Sequence, residues 1–144
     1  MKHLIRFAAA LMIAGATPLL LAQQAGNDTV FRYMGGIPGI KKIVDDFLAI
    51  IVVNPRIRHT FEDADMEHLA SMLADQFCVL TGGPCQYDGD SMRDVHDGMD
   101  LTNAHFNALT EDLQEAMIRN GIPYSAQYAL ITKLAPMQRD VVTK

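Results

Sequence analysis

One histidine on an otherwise apolar helical face constrains this chain more than any other feature of its sequence. Four residues share one side of a short helix because they are spaced i, i+3, i+4 and i+7: Met92, Val95, His96 and Met99. Asp90 or Ser91 is the predicted cap of this helix, and Gly98 ends it. An imidazole in such surroundings is either a core histidine satisfied by a hydrogen bond or a ligand to a group held inside the fold.

The same helical periodicity runs through the rest of the chain, and no useful stretch alternates as a β-strand does. Apolar residues recur at helical spacing over residues 40–51, 66–80, 106–117 and 130–137. We therefore predict an all-α fold of five or six helices. Ordinary bundles have longer and more equal helices, so the short helix with His96 indicates that something other than helix packing fills the space beside it.

The first residues have the order of a secretory signal peptide. A basic start is followed by an apolar run over residues 7–22 and then by polar residues. We predict a signal peptide over residues 1–22, cut near Ala22 or Ala25, and a domain over residues 28–144. The run is short for a membrane span, although a retained anchor is the alternative. The predicted location is outside the cytoplasm, in the periplasm, with no membrane attachment after cleavage.

Charge and cysteine content narrow the function further. Without Lys2 and Arg6 the chain has ten Lys and Arg against 17 Asp and Glu, a net charge of −7. An acidic domain has no electrostatic reason to bind nucleic acid or an anionic membrane. Cys78 and Cys85 predict a structural disulfide in an exported protein, with two free thiols as the alternative.

The residues predicted to surround His96 are apolar and large. They are Phe61, Leu69, Leu73, Phe77, Met92, Val95, Leu101, Phe106 and Leu109. A slot with such walls and one imidazole suits a flat apolar cofactor with a central metal, and haem fits that description. A zinc site would need three or four ligands, and none converges on His96 by spacing. His105 neighbours an inward residue and is predicted to point elsewhere, while His59 and His68 are predicted surface residues.

Several motifs occur together in one order between residues 31 and 140. They are Tyr33-Met-Gly-Gly-Ile-Pro-Gly-Ile40, Val44-Asp-Asp-Phe47, His59-Thr-Phe61, Phe77, Leu80-Thr-Gly-Gly-Pro84, Tyr87-Asp-Gly89, Met92-Arg-Asp-Val-His96 and His105-Phe106. Each is modest alone, but in this order they make the chain resemble the group I truncated haemoglobins. The resemblance implies a two-over-two helical sandwich around haem.

The resemblance also implies roles for individual residues. His96 matches the proximal iron ligand and Phe61 the corner phenylalanine that stacks on haem. The matching wall positions are Phe47, Phe77, Met92, Leu101, Phe106 and Leu109. Tyr87 and Arg93 lie near positions that meet the haem propionates, although a solvated role for Arg93 is equally compatible. Met137 stands where a few members have a histidine linked covalently to haem, so we predict one non-covalent haem b.

The distal side departs from the family pattern. Leu48 stands where the family usually has a tyrosine, and Leu69 and Leu73 stand where it often has glutamine. Met72 occupies a position where some members place a histidine as a second axial ligand. The distal side is therefore predicted to be apolar. Oxygen should bind weakly or leave fast unless Gln76 or a water molecule reaches it.

The leading functional prediction is reversible binding of a diatomic gas: oxygen, nitric oxide or carbon monoxide. An enzymatic alternative is nitric oxide dioxygenation or peroxidase-like chemistry, which the apolar distal residues disfavour. A third possibility is electron transfer with His96 and Met72 as axial ligands, since methionine and histidine form a known haem ligand pair. A fourth is a helical interaction module without a cofactor. The sequence identifies neither the gas nor a redox partner.

Overall fold

The computed structural model describes residues 27–144, and these residues form α-helices joined by turns and loops. The prediction of an all-α fold is confirmed. The helices are α1 (Thr29–Tyr33), α2 (Gly36–Ile51), α3 (Met66–Leu80), α4 (Met92–His96), α5 (Asn103–Arg119), α6 (Tyr124–Leu134) and α7 (Gln138–Val141). Short 3₁₀ turns occupy Arg58–Phe61 and Ala135–Met137. The predicted signal peptide lies outside the described residues.

Helix α2 forms the centre of the core because its apolar residues repeat with the helical period. Its buried residues are Ile40, Ile43, Val44, Phe47, Leu48 and Ile51. This is the face that the sequence predicts. Helix α2 packs against both α3 and α5, and α6 packs against the same two helices. The four long helices therefore form two pairs, α2 with α3 and α5 with α6, in the predicted two-over-two arrangement.

Side-chain caps fix where three of the helices begin. The Asp65 carboxylate accepts a hydrogen bond from the backbone N–H of His68 at the start of α3. At α4 the cap is Ser91, one of the two predicted residues, and its hydroxyl accepts from the N–H of Asp94. At α5, Thr102 and His105 bond reciprocally as a capping box.

Helix α4 is short and stands apart from the long helices. It packs on α7, at the C-terminal end of the chain, rather than on α3. Helix α7 reaches this position because the chain tightens into a 3₁₀ turn around Pro136, which has no backbone N–H to continue α6. A space is therefore left between α3 and α4. No helix within residues 27–144 is long and apolar enough to cross a membrane.

Candidate functional site

A cavity of about 800 Å³ fills the space between α3 and α4. Its volume lies in the upper range for ligand pockets. Its apolar wall comes from α2, α3 and α5, from the Arg58–Phe61 turn and from the short helices α4 and α7. These wall residues include Phe47, Ile51, Ile57, Phe61, Leu69, Met72, Leu73, Met92, Leu101, Phe106, Leu109 and Val141. A long apolar wall around one large space suits a bulky, flat and apolar ligand.

His96 lines this cavity from the last residue of α4, and its orientation is fixed by one hydrogen bond. The ring Nδ1 lies 2.6 Å from the carbonyl oxygen of Met92, one turn earlier in the same helix. A carbonyl oxygen can only accept, so Nδ1 carries the proton. The lone pair is then on Nε2, which is the arrangement that metal-ligating histidines require.

The α3 side of the cavity is apolar where it approaches His96. Leu69, Met72 and Leu73 line the cavity at helical spacing from α3. One turn further on, Gln76 also lines it and is only 8% exposed. Its amide Nε2 donates to the sulfur of Met92 at 3.6 Å, so this donor is directed towards α4 rather than towards the leucines.

Two hydroxyl groups in the wall also have partners. Thr60 Oγ1 donates to the carbonyl oxygen of Ile57 at 2.8 Å, and Tyr87 donates from its phenol to the carbonyl oxygen of Asp90 at 3.1 Å. Burial raises the pKa of the Tyr87 phenol, and the carboxylates of Asp90 and Asp88 raise it further. Tyr87 therefore stays protonated and lies in a negative local potential.

The exposed residues that line the cavity form its rim: His59, Asp63, Asp65, His68, Asp88, Asp90, Val95 and Met99. Just inside it, His105 packs its ring edge-on against His59, with the centroids 5.3 Å apart. His59 and His68 are exposed, as predicted for surface residues, but both also line the cavity. The prediction that His105 points elsewhere is wrong, because its capping-box bond to Thr102 turns the imidazole back towards the cavity.

Four residues that the sequence analysis places around the haem do not line the cavity. Phe77 and Leu48 are buried in the core of the helical sandwich. Each follows a cavity residue, Gln76 or Phe47, and one residue turns the side chain by about 100° around a helix. Arg93 is exposed and pairs with Asp140 at 2.7 Å, and Met137 is also absent from the wall.

A disulfide ties the end of α3 to the loop that leads to α4. Cys78, near the end of α3, is bonded to Cys85 in the loop that leads to α4. Between them the chain passes so closely that a Cβ on Gly83 would lie 2.6 Å from Cys78 Sγ and from the ring of Phe31. Only glycine fits there without a rearrangement. The bond holds the loop with Tyr87 against α3.

The side chains that could bind a metal distinguish between a zinc site and a haem site. Within residues 27–144 no group of three or more His, Cys, Asp or Glu side chains could hold a metal ion. A bare zinc site therefore has no support in this part of the chain. His59, His68 and His105 lie at or just inside the rim, whereas His96 lines the cavity from α4 with its Nε2 free of a hydrogen-bond partner. One such imidazole beside a long apolar wall suits a haem pocket with one protein ligand.

Comparisons with known proteins agree with this pocket. The family model described as bacterial-like globin matches residues 29–143. The group 1 truncated haemoglobin of a Synechocystis species is 32% identical over 125 residues, covering 81% of this chain and 98% of that protein. The protein of the same name from Tetrahymena thermophila is 35% identical over 94 residues, covering 65% and 78%.

Solved structures have the same fold. The Fe(III) form of the truncated haemoglobin of Tetrahymena pyriformis superposes with a TM-score of 0.76 at 28% identity, covering 80% of this chain and 98% of that one. A 2/2 haemoglobin from a Synechococcus species, with covalently attached haem, superposes with a TM-score of 0.74 at 21% identity and the same coverage. This chain is thus a member of the bacterial-like globin family and belongs with the group 1 truncated haemoglobins, which bind diatomic gases through haem.

Proposed function

We propose that this chain holds one non-covalent haem b through His96 and binds a diatomic gas reversibly, without retaining oxygen strongly. The observation that carries the proposal is the hydrogen bond from His96 Nδ1 to the Met92 carbonyl oxygen, which leaves Nε2 free in the cavity. When bound, the haem would supply an iron centre that can take a diatomic gas.

The protein's first task at this site is to orient the imidazole. The Met92 carbonyl oxygen selects the tautomer and sets the ring plane, as outer-shell partners of ligating histidines do. Around the ring, the apolar walls exclude water and favour the flat porphyrin surface. Phe61, Leu101 and Phe106 are the wall residues whose bulk best matches that role.

The α3 side has the opposite property, because the three residues that form most of it offer the gas no hydrogen bond. Leu69, Met72 and Leu73 have no N–H or O–H donor, and one N–H of the Gln76 amide is already directed to Met92 Sδ. A hydrogen bond to a partly charged oxygen stabilises it by roughly 1.5–3 kcal/mol. Without such a bond, oxygen affinity should be about ten- to over one-hundred-fold lower. The same lack of a donor disfavours dioxygenase and peroxidase-like chemistry.

Non-covalent attachment and export are parts of the same proposal. Both cysteines of the chain form the Cys78–Cys85 bond, and Met137 lies outside the cavity wall, so neither offers a linkage to haem. A structural disulfide is typical of proteins outside the cytoplasm. The disulfide therefore supports a periplasmic location, to which the predicted signal peptide over residues 1–22 would direct the protein.

A second candidate function is electron transfer with His96 and Met72 as the two axial ligands. The observation in its favour is that Met72 lines the cavity from α3, the side opposite α4. A thioether ligand would raise the haem potential and block the gas site.

Absorption spectroscopy of the purified, haem-loaded protein tests these functions. We expect a five-coordinate ferrous form that binds carbon monoxide, and fast oxygen release in stopped flow. A six-coordinate ferrous form that Met72→Ala converts to five-coordinate would favour electron transfer. A protein without a Soret band after haem is supplied would contradict both.

A further inference from the structure

The two ends of a haem molecule make different demands on a protein. The porphyrin ring is apolar and favours the wall of the cavity, whereas the two propionates are carboxylates and must reach solvent. The propionates therefore meet the rim, which consists of the exposed residues that line the cavity. Carboxylates bound by proteins are usually paired with Arg or Lys, which form charge-assisted hydrogen bonds with them.

The rim of this cavity has the wrong charge for that purpose. Among residues 27–144, no Lys or Arg lines the cavity, while Asp63, Asp65, Asp88 and Asp90 all do. Arg93, the arginine of α4, lies outside the cavity wall, and its guanidinium is bonded to Asp140. The rim residues whose side chains can become cations are His59 and His68.

The carboxylates lie on both sides of the cavity. Asp63 and Asp65 precede α3, and Asp88 and Asp90 belong to the loop before α4. All four are exposed, and the carboxylates of Asp90 and Asp88 add to the effect of burial in raising the pKa of the Tyr87 phenol. A propionate at this rim would therefore be repelled from two directions.

We propose that this chain is a haem-exchange protein, whose acidic rim weakens its hold on the propionates and speeds transfer of haem to an acceptor. This inference rests on the proposed haem binding and adds a second activity to it. The ring is held by the apolar wall and by His96, and the rim lowers the barrier to release.

Transfer requires one coordination bond to break and one to form. His96 Nε2 would release the iron and a ligand of the acceptor would bind it, with no electron or covalent bond transferred. Release would also relieve the repulsion between the ionised propionates and the four Asp carboxylates. The acceptor class is a haem-binding protein with cationic side chains around its propionate site.

The experiment measures haem transfer from the full holoprotein to excess apomyoglobin by the change in Soret absorption. One variant combines Asp63→Asn, Asp88→Asn and Asp90→Asn, and leaves Asp65 in place because it caps α3. The matched control combines Asp45→Asn, Glu67→Gln and Asp75→Asn, which change the charge equally but do not line this cavity.

We expect the rim variant to lose haem about three- to tenfold more slowly than the unaltered protein, because three exposed charges that repel the propionates are removed, and we expect the control to be unchanged. Raising the ionic strength from about 0.01 M to about 1 M shortens the Debye length from about 30 Å to about 3 Å. It should therefore slow transfer from the unaltered protein and have little effect on the rim variant.

His68→Arg should also slow transfer, because it places a permanent cation on the rim. Equal rates in the rim variant and the unaltered protein, or equal slowing in the control, would overturn the proposal. So would retention of haem against the acceptor over hours. Carbon monoxide binding by each variant is recorded first, so a protein that binds haem and gas but has charge-independent transfer refutes the exchange proposal alone.

Discussion

The two sides of the cavity are built by opposite rules. On the α4 side, His96 has a hydrogen-bonded partner that fixes its tautomer, while on the α3 side Leu69, Met72 and Leu73 have no donor or charge. The α4 side therefore offers a nitrogen that can bind a metal, whereas these three residues of the α3 side offer only an apolar surface. Under the proposed function, this difference predicts a site that binds haem through one defined ligand and distinguishes little between diatomic gases.

The largest expected effect comes from removing the specified bond. His96→Gly should abolish stable haem retention, because His96 is the histidine that α4 contributes to the cavity wall. Added imidazole should restore part of the Soret band by occupying the vacated space. The matched control is His59→Ala, a rim histidine, which should keep its haem. Haem retention by His96→Gly without imidazole would contradict the contrast between the two sides.

The disulfide ties the α3 side to the loop that leads to α4, and breaking it should have the next largest effect. Cys78→Ser combined with Cys85→Ser removes a closed loop of about eight residues, worth about 2–3 kcal/mol in the free energy of unfolding. For a domain of this size the midpoint of thermal unfolding should fall by about 10 °C. Treating the unaltered protein with a reductant should give the same fall. An unchanged midpoint in both would show that the link is not stabilising.

The features that follow local sequence rules were predictable. Helix α3 has its acidic cap at Asp65, α4 begins after Ser91, and the chain turns at Pro136, because each depends on residues within one or two turns. The contribution of His96 to the cavity follows from the spacing of its apolar neighbours.

The errors arose where one position on a helix decides the direction of a side chain. Phe77 and Leu48 were predicted at the pocket but face the core, about 100° from Gln76 and Phe47. His105 was predicted to point away, although its place three residues after Thr102 is the spacing of a capping box and could have placed it. The rim could not be predicted, because only tertiary packing brings Asp63 and Asp88 to the edge of the same cavity.

Adding a donor to the α3 side would sharpen the comparison. Leu73→Gln should slow oxygen dissociation by about tenfold to over one-hundredfold, the equivalent of the 1.5–3 kcal/mol gained by a charge-assisted hydrogen bond. Leu73→Met is the control, because it keeps the wall apolar at similar volume. Both are measured by stopped flow. If oxygen already leaves slowly from the unaltered protein, a donor reaches it from elsewhere and the apolar description of this side is wrong.

The smallest expected effect tests whether Met72 belongs to the wall or to the metal. Met72→Leu should leave the ferrous absorption spectrum and the rate of carbon monoxide binding nearly unchanged, because a leucine replaces the wall contact at similar volume. A ligating thioether would behave differently, since its removal converts a six-coordinate spectrum to a five-coordinate one and opens the gas site. Faster carbon monoxide binding in the variant would then show that Met72 of α3 also binds the iron. Both sides of the cavity would in that case contribute a metal ligand, and they would differ only in how strongly each ligand binds.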